Sequence, residues 1–559
     1  MRKALTVAGC LAAGVAFAGL ELANVFMDNM ILQREKPIPV WGTGEAGQEV
    51  VVRFAGETAR TLVGADGKWE AKLPALAVSN EDREMTVTMG EPQGFFAKLF
   101  GCEPQGETVV FRNVLVGDVW LCSGQSNMEY SFCWWPMSMD RSKSFCTNTP
   151  NFRLLRMAYR KADVPRETPD FKGKWSVLTG QVWFTATCVG AHFGQTIMEK
   201  TGKRIPIGLI DSSWGGMNIE PFINPEVLTA DDPQPVKGIY DRFQDHANPA
   251  TEGGQKAWSA YFARQKAFLA QMEKDLARGR APQAEPAAVP VSDNYWNGCY
   301  QTMIAPMAKY PVKGVIWYQG CSNRDNNEGY QHQLEALART WRQAYGDELP
   351  FYWVQLSSYN SGVSSDDEPE GGKGFSRIRE GMRRAMAMIP HGGMAVTFDL
   401  GNPKDIHPGE KLHVGQRLAQ WALRNDYGFD DVVPSGPNYK SMSVEGDKIR
   451  VSFDYVGSGL AVGYKNNFDD KDVVLKPEAK LNGFAIAGED RKWFFADAVI
   501  DGETVVVSAK GVTKPTAVRY GCFTAMRGQT HLYNREGLPA VEFATDDSPD
   551  PMPFKHLMK

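Results

Sequence analysis

The residues in this 559-residue chain best placed to do chemistry begin with a serine. The apolar run Trp120-Leu121-Cys122 leads into Ser123-Gly124-Gln125-Ser126-Asn127-Met128-Glu129. A serine just past a buried parallel strand lies at the carboxyl edge of the sheet, where open α/β folds hold ligands. Gly124 allows a sharp turn, and a helix starting there aims amide groups at a developing negative charge. Serines in such places also cap helices, and the Gly-x-Ser-x-Gly elbow of ordinary α/β-hydrolases is missing. A hydroxyl nucleophile needs a base. Among eight histidines, His407 lies in Lys404-Asp405-Ile406-His407-Pro408, between a strand ending near Phe398 and a helix with Leu412, Gly415, Leu418, Ala419 and Ala422 on one face. Pro408 suits that helix's first turn. His407 is thereby placed on a loop at the same sheet edge as Ser126, with Asp405 near enough to orient its ring. Serine, base and orienting carboxylate are the parts of an activated nucleophile. The plainer reading is a capping histidine beside a solvated aspartate. His413, further along the helix, reads as structural.

Two more loops end at this edge. Asp211-Ser212-Ser213-Trp214-Gly215-Gly216-Met217 offers backbone amides at a glycine pair, and Tyr318-Gln319-Gly320-Cys321-Ser322-Asn323 offers side-chain carboxamides. Such donors build an oxyanion hole, each contributing about 3–4 kcal/mol in the transition state. A Gly-Gly pair is equally a tight turn, and loop Asn or Gln equally satisfies backbone.

The elements that must position these loops have three textures. Residues 19–112 read as short strands and turns, a β-sandwich-like N-terminal domain. Ile38–Gly42 is expected at an edge because Pro39 cannot donate to a ladder, and Asp66-Gly67 reads as a hairpin turn. Residues 113–432 alternate apolar strands (114–121, 207–210, 314–318, 351–356, 394–398) with helical patterns. That predicts a doubly wound, mostly parallel α/β sheet. Within it, about 230–292 reads as a helical insertion, its stripe from Trp258 to Leu276 packing as an amphipathic helix on the main domain. Residues 433–546 return to β texture as a C-terminal β domain, and 547–559 read as a tail.

Composition excludes other classes. Lys plus Arg number 61 against 66 Asp plus Glu, a net charge of −5, so nothing favours a nucleic-acid partner. Met1-Arg2-Lys3, the apolar run to Ala18 and Ala16-Phe17-Ala18 before Gly19 read as a cleaved export signal, giving a periplasmic or secreted protein without a membrane span. Nine cysteines without a Cys-x-x-Cys pair give no zinc or redox motif. Cys133 and Cys146 are the pair to examine for a disulfide.

Gly124-Gln125-Ser126-Asn127-Met128, Trp214-Gly215-Gly216, Trp317-Tyr318-Gln319-Gly320-x-Ser322-Asn323 and Asp405-Ile406-His407-Pro408 together resemble the sialate O-acetylesterase family of the SGNH hydrolase superfamily. Phe26–Gln33, Gly483–Asp490 and Leu532–Pro539 extend the resemblance over nearly the whole chain. The resemblance implies a serine esterase that removes O-acetyl groups from an O-acetylated glycan or sialic acid, without cofactor or metal. Ser126 would be the nucleophile, His407 the base and Asp405 the orienting carboxylate. The Ser126 amide, a Gly215 or Gly216 amide and the Gln319 or Asn323 side chain would form the oxyanion hole. Members often carry Glu where this chain has Cys321, which leaves orientation to Asp405, with Asp399 in reserve. A polysaccharide deacetylase acting on acetylxylan is the same-class alternative, and an inactive carbohydrate-binding protein the alternative of another class.

Overall fold

Among the described residues, seven strands form the main path of an eleven-stranded sheet. In the computed structural model they are β1 (Glu107–Gly124), β2 (Thr149–Arg156), β3 (Ser176–Leu178), β4 (Ile207–Ser213), β5 (Gly314–Tyr318), β6 (Phe351–Val354) and β7 (Gly392–Ala395). The structure describes residues 19–90, 106–134, 149–158, 171–280, 298–325, 327–359, 375–466, 468–522 and 530–546, without the side chains of 246, 247 and 264. The expected export signal, Cys146 and the tail from 547 lie outside the described residues. The spatial order is β3-β2-β4-β1-β5-β6-β7, parallel throughout except at β3, which runs antiparallel to β2.

Helices cover both faces. Side chains alternate along a strand, and Trp120 and Tyr352 point one way. There Trp120 packs edge-on against Phe193 of α2 (Cys188–Lys200), and the Tyr352 hydroxyl donates to Asp426 of α7 (Leu412–Asp426). Trp317 and Trp353 point the other way. Trp317 meets Trp341 of α5 (Tyr330–Tyr345), and Trp353 Nε1 donates to the Met382 carbonyl of α6 (Phe375–Ala385). Burial on both faces is why these strands read as unbroken apolar runs. β2 escapes that reading because Arg153 interrupts it. Arg153 is 2% exposed, and its guanidinium donates to Asn113 and to the Pro150 carbonyl.

β1 is longer than its apolar run. Its first half pairs antiparallel with Ser79–Met89, its middle parallel with Ile31–Gln33, and its last third is the centre of the α/β sheet. The strand thus runs through the expected boundary at 112/113 and joins the N-terminal β region to the α/β sheet covalently and by hydrogen bonds. In that region Ile38–Thr43 lies between two strands, but its partner Glu21–Leu22 reaches only Thr43 and Gly42, so Pro39 keeps a free edge on that side. Asp66-Gly67 does turn the chain. The strands it joins, however, belong to different sheets, so it is a crossover and not a hairpin. The C-terminal region folds into three further antiparallel sheets.

The inserted segment differs from expectation. α3 (Val236–Ala247) is followed by α4 (Glu252–Ala277), which packs on α3. Phe262, Leu269 and Leu276 of α4 are more than half exposed. Helical periodicity reports that one face is apolar; it does not report what meets that face.

Candidate active site

Gly124 ends β1 with φ +133, and a Cβ there would lie 2.2 Å from the Tyr318 carbonyl oxygen, so only glycine fits between adjoining strands β1 and β5. Gln125 follows. Its amide donates to that same carbonyl, and its buried Oε1 accepts from the Gly320 and Ser322 amides at 3.0 and 3.4 Å. One side chain thereby ties the serine turn to the loop after β5. Ser126 opens the single helical turn α1 (Ser126–Glu129). Its amide, at the first position, has no acceptor within the helix.

His407 arrives from the far end of the sheet. Its Nε2 lies 2.7 Å from Ser126 Oγ across 281 residues of sequence. The ring is partly exposed, and burial, assisted by the Lys411 charge, holds its pKa below the ordinary value against the opposing pull of Asp405. A base held neutral is the form that accepts the serine proton.

Asp405 sits 3.8 Å from His407 Nδ1, beyond hydrogen-bond reach. Its Oδ1 instead accepts from the His407 backbone amide at 2.8 Å. It shapes the loop and faces the ring through space. Asp399, the reserve, is committed elsewhere: both carboxylate oxygens accept from Arg417, and Tyr533 approaches at 3.3 Å. The α7 helix starts at Leu412 rather than at Pro408, which leaves 408–411 in the loop. His413 is structural, held between Glu410 and Asp472.

Three of the expected oxyanion donors are committed to other acceptors. Gly215 donates its amide to Glu129 Oε2 at 3.0 Å. Gln319 Nε2 donates to the Met217 carbonyl and to Asn323 Oδ1, while Asn323 Nδ2 donates to Glu220. Each already has an acceptor, because a buried donor without one costs about 1–3 kcal/mol. Gly216 (φ +76) has no described acceptor for its N–H, which leaves the Ser126 and Gly216 amides as the uncommitted pair.

Three neighbours carried no assigned role in the sequence. Glu129, beside Ser126 and Gly215, has its pKa raised by burial and by Asp211. Asn127 and Lys411 form a buried pair behind Ser126 and His407, at 2.6 Å. The available signal for Lys411 was its place at the start of α7, the end of a helix where a cation is least favoured. Cys321 is buried, and desolvation pushes its thiol up to about 12, so it is no nucleophile at neutral pH. Cys133 is exposed, its Sγ 2.9 Å from the Phe184 carbonyl oxygen. Among the described residues no group of His, Cys, Asp and Glu has the arrangement of a metal site, and no helix is long and apolar enough to cross a membrane.

Comparison with known proteins follows the same lines. Residues 288–424 match the family model described as carbohydrate esterase, sialic acid-specific acetylesterase. The chain is 28% identical to rat sialate O-acetylesterase over 459 residues, covering 76% of this chain and 77% of the relative. It is 26% identical to the human sialate O-acetylesterase over 453 residues, 75% and 73% of the two chains. The crystal structure of a carbohydrate acetylesterase from Xanthomonas citri superposes with a TM-score of 0.71 at 29% identity, covering 94% of this chain and 99% of that one. The protein is a carboxylic-ester hydrolase on a mixed α/β sheet. Within that class its resemblance to the sialate O-acetylesterase family, read from the motifs, holds over three quarters of the sequence.

Proposed function

We propose that the protein removes O-acetyl groups from carbohydrates through an acetyl-serine intermediate, with O-acetylated sialic acids as the first substrate class. The reading rests above all on the 2.7 Å contact between Ser126 Oγ and His407 Nε2 at the carboxyl edge of the sheet. Ser126 Oγ attacks the acetyl carbonyl while His407 Nε2 takes its proton. The negative charge that develops on the carbonyl oxygen meets the Ser126 and Gly216 amides. Collapse breaks the ester bond, and His407 returns the proton to the departing sugar hydroxyl. Water, deprotonated by His407, then attacks the acetyl-serine and releases acetate. Asp405, facing His407 from 3.8 Å, stabilises the imidazolium formed in each half.

In this reading the sheet is of the SGNH type, with the β regions at 19–112 and 433–546 bracing it, and the first eighteen residues direct export. The test is hydrolysis of 4-nitrophenyl acetate by the protein and by Ser126→Ala, expected to fall at least about a thousandfold. Equal rates in both would remove the nucleophile. Acetate release from O-acetylated sialic acid against acetylated xylan then separates the two substrate classes.

A further inference from the structure

The loop carrying the base and the turn carrying the nucleophile are joined by one buried carboxamide. Asn127, the residue after Ser126, is 2% exposed. Its Nδ2 donates to the Ile406 carbonyl at 3.0 Å, next to His407 in the chain. Its Oδ1 accepts from Lys411 Nζ at 2.6 Å. A carboxamide can flip, and here the ammonium decides which way it points. The oxygen must face the cation, so the NH2 must face the loop. Lys411 is fully buried, with its ammonium over the rings of Tyr130 and Tyr318, 5.1 and 5.3 Å from their centroids. Among the described residues no carboxylate pairs with it. A cation kept in such a place costs stability, and the catalytic pair is what it adjoins.

We propose that Lys411 is a positioning residue for hydrolysis, locking the His407 loop to the nucleophile turn through Asn127 and setting a buried positive charge behind the base. This rests on His407 acting as the base for Ser126. The groups facing His407 are Ser126, Asp405 and Lys411. Those facing Lys411 are Asp405 and Glu410 from its own segment, Cys188 from α2 and Cys321 from the loop after β5. Glu410 is itself engaged by His413 and Lys465. Cys321, with Sγ 3.9 Å from Asn127 Nδ2, leaves the ammonium unopposed on that side. Burial lowers the Lys411 pKa to about 8, so the charge is present over the range where His407 titrates.

The experiment is the pH profile of kcat/KM for 4-nitrophenyl acetate. Lys411→Met removes the charge at similar volume. Its acid limb is expected to move up by about half a pH unit or more, with a lower plateau. Lys411→Arg keeps the charge and is expected to keep the limb. Asn127→Leu breaks the link from Lys411 to the loop but keeps the lysine, so kcat falls while the limb stays. A Lys411→Met limb at the wild-type position overturns the electrostatic half, and an unchanged kcat in Asn127→Leu overturns the locking half. If Lys411→Met does not accumulate as folded protein, Cys321→Glu opposes the same charge from the other side. Its limb should rise while that of Cys321→Ser does not, and an unmoved limb in Cys321→Glu counts against the proposal. Ser126→Ala is measured alongside: activity retained there would sink the reading of the site, whereas an inactive Ser126→Ala with unmoved limbs sinks only the role of Lys411.

Discussion

Arg417 and Asp399 give the sharpest quantitative test of how the His407 loop is supported. Arg417 lies on α7, and its side chain is 4% exposed. Nη1 donates to the Val396 carbonyl at 2.7 Å and to Asp399 Oδ1 at 2.6 Å, and Nη2 to Asp399 Oδ2 at 2.9 Å. Asp399, 2% exposed at its side chain, begins the stretch that leads from the sheet to His407. Replacing Arg417 by Met preserves most of the volume but leaves a buried carboxylate with the Tyr533 hydroxyl as its remaining described partner. Breaking a buried pair from one side costs about 3–5 kcal/mol, because the stranded charge has no water to return to. At a urea dependence of about 3 kcal/mol per molar, the unfolding midpoint should fall by about 1 M or more. Tryptophan fluorescence during urea titration reads this directly, since Trp353 and Trp421 flank the region and Trp421 Nε1 donates to the Met394 carbonyl. The double variant Arg417→Met/Asp399→Asn carries no stranded charge and should recover part of the loss. A midpoint for Arg417→Met within about 0.3 M of the parent, or a double variant worse than the two single losses together, would refute the assignment of Asp399 to a structural pair. Asp399→Asn should also be destabilised yet keep the parent's acid limb in kcat/KM, because its carboxylate does not face His407.

Three other outcomes are expected. Gly124→Ala places a methyl group 2.2 Å from the Tyr318 carbonyl oxygen, so either soluble expression or esterase activity should be lost; a normal enzyme would contradict the required φ. The acid limb of kcat/KM should lie below pH 6.5, since the base must be neutral and burial with Lys411 lowers the His407 pKa; a limb above 6.5 would mean that Asp405 dominates. Iodoacetamide at pH 8 should leave activity intact, because the Cys321 thiol is buried and held near 12; inactivation matched by carboxymethylation of Cys321 on peptide mapping would show otherwise.

The meeting of Ser126 and His407 was legible because it depends on local order. A strand followed by Gly124 and Ser126, and a loop bearing Asp405 and His407 after a later strand, must both end at the carboxyl edge of a parallel sheet. Strand direction alone therefore brings them to the same side. Which of the five candidate oxyanion donors stay free was not legible, since Gly215, Gln319 and Asn323 are claimed by acceptors while the Ser126 and Gly216 amides are not. Those acceptors, Glu129, Met217 and Glu220, come from other segments. Asp405 illustrates the same limit: two residues of separation fixed its proximity to His407, but the backbone amide took its oxygen.

The sequence by itself determined the class of sheet, the edge at which its loops converge, and the serine and histidine that meet there. These follow from periodicity, glycine placement and chain order, which act over a few residues. Only the tertiary structure decided that β1 runs unbroken from the N-terminal region into the catalytic sheet, that Arg417 claims Asp399, and that Lys411 stands buried behind Asn127. Each of those depends on pairing between residues far apart in the chain. The energy of a buried charge or donor is set by the partner that reaches it, and residue type and spacing do not record that partner.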